Sequence, residues 1–205
     1  NKITVVHEAA APHFRVVPNS EVARVRAKYD LPERFLLSVG TIEPRKNLTR
    51  LVEALARLRK GDRHLQLVVV GSKGWMFDEF FAKIEELGLQ GAVRMLGFVP
   101  DEDLPAVFRA ATVYVMASIY EGAGLPLLEA MACGVPVVSS RESSLPELGA
   151  DVPRYFKERG MVNVPAGTLD TDPGIRPQAN IFVGSKAVWF DITDDLPQYA
   201  EAPPA

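Results

Sequence analysis

TVYVMASIYEGAGLPLLEAMACGVPVV, residues 112–138, decides how this chain folds. It starts as an apolar run over 112–118 containing valine and tyrosine, which predicts a strand. A glycine turn follows, Glu121-Gly-Ala-Gly. LPLLEAMACG, 125–134, then predicts a helix, with Pro126 suited to its first turn and Gly134 just past its end. PVVSS, 136–140, predicts the next strand. A strand, a helix and a second strand in close succession argue for a right-handed βαβ unit and parallel pairing.

Working outward, the same alternation runs back to residue 34. RFLLSVG (34–40) is a short apolar run ending in glycine. Leu48, Leu51, Val52, Leu55 and Leu58 repeat at helical spacing, with Asn47 as the expected N-cap and Gly61 as the stop. LQLVVVG (65–71) is continuously apolar, as a strand covered on both faces should be. DEFFAKIEELG (78–88) predicts a helix through Phe81, Ile84 and Leu87. AVRMLGFV (92–99) predicts a strand and DEDLPAVFRAA (101–111) a helix with acids at its positive end. The fold class is therefore α/β, a Rossmann-like, mainly parallel sheet with flanking helices. Ligands on such sheets bind at the carboxyl ends of the strands, so the informative loops are 40–47, 71–77, 97–101 and 118–125.

From about residue 156 the style changes. Proline and glycine become frequent, the helical period vanishes, and ANIFVGSKAVWFDI (179–192) looks β-like. This predicts a sheet domain over 1–155 followed by a small β-rich tail over 156–205. The opening NKITVVHEAA lacks both a Met and the residue order of a signal peptide, and reads as the interior of a longer protein.

Composition narrows the function classes. The 205 residues are 47% hydrophobic with a net charge of -3, which is a globular balance without the basic excess of a nucleic-acid binder. Cys133 is the single cysteine, so no disulfide framework and no cysteine-based metal site is available within one chain. No apolar run approaches the roughly 20 residues that span a bilayer. His7, His13 and His64 show no metal-ligand spacing, and Ser143 and Ser144 lack a nucleophile-elbow context. Trp75 and Trp189 are expected to pack rather than bind sugar.

The turn at 121–124 carries the chemistry. The first amides of a helix lack internal partners and carry partial positive charge, and glycines let a phosphate approach them. Glu121 before the turn and Glu129 one turn into the helix are acceptors for sugar or ribose hydroxyls. Taken alone, two such glutamates read as ordinary surface residues; the surrounding turn is what gives them another role. In SVGTIEPRKNL (38–48), Gly40 ends a strand while Arg45 and Lys46 precede a helix, which suits a diphosphate. Read alone, the pair is also an ordinary solvated basic patch. VVVGSKG (68–74) is a further strand-to-glycine turn. Backbone groups around Phe98 and Val99 suit the edge of a flat base, or else simply end a strand.

Residues 1 to about 155 resemble the C-terminal, donor-binding half of a retaining glycosyltransferase of the GT-B fold, in the large group 1 (GT4) family. The likeness rests on ITVVHEAAAPHF, SVGTIEPRKNLTRLVEAL, LGFVPDEDLPAVFRAATVYVMAS, SSLPELGAD and, above all, YEGAGLPLLEAMACGVPVV. Its E-x7-E motif is met by Glu121 and Glu129. The resemblance implies hexosyl transfer from a nucleoside diphosphate sugar, with no cofactor and no metal. It implies that Glu121 contacts the transferred sugar as the catalytic residue and that Glu129 binds ribose. Arg45 and Lys46 would hold the diphosphate, and Ala123, Gly124 and Leu125 would offer amides. Members often carry Phe where Ala123 stands, a change that bears on sugar packing. The acceptor, a saccharide or lipid-linked hydroxyl, would sit on an N-terminal domain that this sequence does not contain, and half a cleft should transfer sugar poorly or not at all. A cytoplasmic location follows, peripheral at the inner membrane face for the full-length parent.

The tail resembles another family. RPQANIFVGSKAVWFDITDDLPQY is similar to the C-terminal end of the glutathione-dependent formaldehyde-activating proteins. Their zinc cysteines have no counterpart here, so neither zinc nor carbon–sulfur chemistry is carried over. A non-catalytic nucleotide-binding module and a formaldehyde-activating lyase are the alternatives to the transferase.

Overall fold

The computed structural model describes residues 9–145 and two short strands, Asn180–Ile181 and Gln198–Tyr199. The chain divides into two units, Asn1–Leu169 and Asp170–Ala205. The expected boundary at 155/156 and the residues quoted for the formaldehyde-activating likeness lie outside the described residues, apart from those two strands, as does Trp189.

In the first unit, helix α1 (Asn19–Lys28) precedes β1 (Phe35–Val39), a 3-10 turn (Pro44–Lys46) and α2 (Leu48–Leu58). Then come β2 (Gln66–Val70), α3 (Asp78–Glu86), β3 (Val93–Gly97), α4 (Leu104–Ala110), β4 (Val113–Met116), α5 (Leu125–Ala132) and β5 (Val137–Ser139). The five strands form one parallel sheet in the order β3-β2-β1-β4-β5. In the second unit β6 (Asn180–Ile181) pairs in parallel with β7 (Gln198–Tyr199).

Alternation along the central strands explains the layers, because successive side chains point to opposite faces. Phe35, Leu37, Val68 and Val70 join one core with Val25 of α1, Val107 and Phe108 of α4, and Leu127 and Ala130 of α5. Leu36, Leu67 and Val69 join the other with Leu51, Val52 and Leu55 of α2 and Phe80 and Ile84 of α3. The continuous apolar run of β2 is thus the mark of a strand buried on both faces.

Three local expectations change. Helix α1 has no forecast in the sequence reading. Its mean composition is polar, and only Val25 is fully buried. Asn47 does precede α2, but it adopts φ 54° and makes no side-chain capping bond. Its amide instead donates to the carbonyl of Ala117 at 3.1 Å. Asp103, expected as a charge at a helix start, is 1% exposed and accepts from Arg24 (2.6 Å), Lys28 (2.6 Å) and Tyr29 (2.5 Å).

Candidate active site

The strand order sets the site. Chain connections depart in opposite directions from β1 and β4, which are neighbours in the sheet. Such a reversal opens a crevice at the strands' carboxyl ends. The loops leaving β1 and β4 are joined there by backbone: the Ile119 amide donates to the Arg45 carbonyl at 2.8 Å, beside the Asn47–Ala117 bond.

Two glycines bring the neighbouring loop in. Gly40 and Gly71 both have φ 138°, and a Cβ on Gly71 would lie 2.1 Å from the Gly40 carbonyl oxygen. The Gly40 amide donates to the Val70 carbonyl at 2.8 Å. Lys46 folds its chain over Gly40, where an added Cβ would meet its Cε at 3.1 Å.

Arg45, Lys46 and Glu121 meet across the crevice. Lys46 Nζ donates to Glu121 Oε1 at 2.6 Å, and Arg45 Nη1 donates to Glu121 Oε2 at 2.8 Å. Arg45 Nε also lies 2.5 Å from Glu43 Oε1. Ser118 Oγ donates to Glu121 Oε1 at 2.6 Å. Burial alone would raise the Glu121 pKa; the Lys46, Ser118 and Arg45 hydrogen bonds overcome it and hold the carboxyl below its ordinary value. Three further serines fix the backbone. Ser140 donates to the Ser118 carbonyl, and Ser143 and Ser144 both donate to the Glu121 carbonyl, at 2.6 and 3.1 Å.

The remaining positions surround this cluster. Gly124 is the N-cap of α5 with φ 62°, so Leu125 presents the first amide of that helix, while the amides of Ala123 and Gly124 lie in the turn before it. Glu129 is half-buried on α5, and among the described residues the ion pairs of Arg45 and Lys46 are with Glu43 and Glu121 instead. Burial, and then the Asp101 carboxylate, raise its pKa, while His13 opposes the shift. Glu121 and Glu129 are both within electrostatic reach of the buried Tyr114 phenol, whose pKa rises first through burial and then through the two carboxylates. Phe98 is 79% exposed and Val99 is buried in the loop after β3. That loop belongs to the edge strand two places from β1, roughly 10 Å away at ordinary strand spacing. Trp75, expected to pack, is 63% exposed.

Sequence reading finds the charged members and misses what holds them. Ser118, Ser143 and Ser144 fall in stretches that carry the family likeness, yet no role follows from it for them, nor for Ser140 or Glu43. The one available signal was position: Ser118 is the first hydroxyl beyond β4 and stands three residues before Glu121.

The sequence matches the family described as "Glycosyl transferases group 1" over residues 20–152. The chain belongs to the group 1 glycosyltransferases. It is 45% identical over 139 residues to the O-antigen chain mannosyltransferase B of Escherichia coli, covering 66% of this chain and 36% of that protein. Among solved structures it resembles WaaG, a glycosyltransferase involved in lipopolysaccharide biosynthesis, with TM-score 0.62 and 30% identity over 72% of this chain and 40% of WaaG. It also resembles Anabaena Alr3699/HepE in complex with UDP, with TM-score 0.61 and 25% identity over 72% of this chain and 41% of that one. The chain thus spans about two fifths or less of the length of these relatives. The site's loops at 40–47 and 118–125 both fall inside the family match. Among the described residues no helix is long and apolar enough to cross a membrane.

Proposed function

We propose that this group 1 glycosyltransferase segment binds a nucleoside diphosphate hexose and supplies the donor half of a retaining hexosyl transfer. The hydroxyl acceptor, on a saccharide or a lipid-linked saccharide, is held by a second domain. The observation that carries the reading is the meeting of Arg45, Lys46 and Glu121 where β1 and β4 adjoin, just before the amino end of α5.

Arg45 and Lys46 take the diphosphate together with the amides of Ala123, Gly124 and Leu125. As the sugar–phosphate bond breaks, negative charge grows on the departing diphosphate, and the same cations stabilise it without a metal ion. Glu121 accepts hydroxyls of the sugar and Glu129 those of the ribose. Gly40 leaves room for the Lys46 chain. Backbone around Phe98 and Val99 meets the base. The UDP bound by the HepE relative and the mannosyl transfer named for the Escherichia coli relative support a sugar nucleotide as ligand.

Calorimetry with UDP and with GDP tests this. One of them is expected to bind with Kd between micromolar and millimolar. Arg45→Ala and Glu129→Ala should each weaken it about tenfold, the size of a lost hydrogen bond to a charged group. Equal affinity in all three proteins would count against the assignment.

A further inference from the structure

Glu121 accepts three hydrogen bonds, and their distribution is uneven. Oε1 takes both Lys46 Nζ and Ser118 Oγ at 2.6 Å. Oε2 takes Arg45 Nη1 at 2.8 Å. A carboxylate oxygen offers about two lone-pair sites. Oε1 is therefore filled, and Oε2 keeps one site. The donors also differ in access. The Ser118 residue is 1% exposed and the Lys46 side chain 11%, whereas the Arg45 side chain is 41% exposed. The Glu121 side chain itself is 7% exposed, so a ligand entering from solvent meets Arg45, the donor on Oε2, before it meets Lys46 or Ser118.

We propose that Ser118 is a positioning residue that commits one oxygen of Glu121 to the protein and leaves the other to read a single sugar hydroxyl. This rests on the donor-binding reading above and adds to it a determinant of which hydroxyl arrangement is accepted. Ser118 is suited to the task because its own backbone is fixed. Its carbonyl accepts from Ser140, and the adjoining Ala117 carbonyl accepts from Asn47. Ser143 and Ser144 secure the other end of the short span at the Glu121 carbonyl. Without the hydroxyl, Lys46 and Arg45 alone hold the carboxylate, one on each oxygen, and Oε1 regains a lone-pair site. Both oxygens then offer an acceptor, and the distinction between epimeric sugars blurs.

The test compares a free nucleoside diphosphate with its sugar nucleotides. Kd is measured for UDP, UDP-glucose and UDP-galactose, and for GDP, GDP-mannose and GDP-glucose. In Ser118→Ala the affinity ratio between the two epimeric donors should fall about tenfold, while Kd for the free diphosphate shifts less than twofold. Ser118→Thr, which keeps the hydroxyl, should restore the ratio. Ser118→Cys is close to isosteric and donates weakly, so it should behave as Ala does and guards against a packing effect. Thermal midpoints of all variants are recorded beside the ratios. An unchanged epimer ratio in both Ala and Cys variants overturns the role of Ser118 alone. A wild-type chain that binds neither diphosphate overturns the donor-binding reading, and this one with it.

Discussion

At the scale of the residue, Glu121 at the glycine turn and Glu129 on α5 are placed in opposite electrostatic surroundings. Glu121 lies among two cations and a hydroxyl, and its pKa falls. Glu129 is half-buried beside Asp101, and its pKa rises. A carboxyl whose folded pKa is raised favours the folded state at low pH and loses that advantage as pH rises through the folded value. Above the unfolded carboxyl range, Glu129 therefore costs stability that a neutral, non-titrating side chain would spare. Glu129→Gln is expected to raise the thermal midpoint at pH 7 while weakening nucleotide binding. In the wild type, binding should weaken as pH falls through the raised Glu129 value and the carboxyl takes up its proton. Calorimetry at a series of pH values tests it, with inorganic pyrophosphate as the ribose-free control. A Glu129→Gln protein with the same pH slope as wild type would refute the role. The spacing of the two acids was legible in the sequence because the motif is local. Their opposite shifts were not, since Lys46 and Asp101 reach them from elsewhere in the chain.

At the scale of the element, α1 shows why one helix escaped the sequence reading. Its polar sequence carries no strong apolar stripe. Besides Val25, which shares a core with Val107 and Phe108 of α4, an ion cluster joins it to the start of α4: Arg24, Lys28 and Tyr29 all reach Asp103. Burial would push the Asp103 carboxyl up, but these three donors hold it well below the ordinary range. A depressed carboxyl gives stability that is present above its unfolded pKa, near 3.9, and lost as pH falls through the folded one. Asp103→Asn should cost about 2 kcal/mol at pH 7, moderated because Arg24 and Lys28 are half exposed. Urea unfolding at pH 7 and pH 3 measures it: the gap between wild type and variant should narrow in acid. A gap that stays constant would mean the cluster is held by packing rather than by charge. Asn47 teaches a related point. Its position at the start of α2 was legible, while its side chain serves the crossing to Ala117 instead of a cap.

At the scale of the whole molecule, the sheet was the most legible part, because hydrophobic runs of strand length and helix-spaced leucines leave few other arrangements. The paired β1 and β4 that make the crevice follow from strand order, which periodicity does not encode. Two buried faces also make a quantitative claim. Leu36 and Leu37 are adjacent in sequence yet belong to separate cores. Leu36→Ala and Leu37→Ala should each cost about 3 kcal/mol, and the double variant should cost nearly their sum because the two cavities share no lining. Denaturant titration of the three variants decides it. A cost confined to one of the two positions would show that one face is not truly covered.

The contact between Gly40 and Gly71 has a consequence for engineering. With one loop's backbone seated on the other's, neither can be lengthened, shortened or exchanged by itself. Any attempt to transplant the Arg45, Lys46 and Glu121 cluster to another parallel sheet must move the ends of β1 and β2 as a single cassette, glycines included.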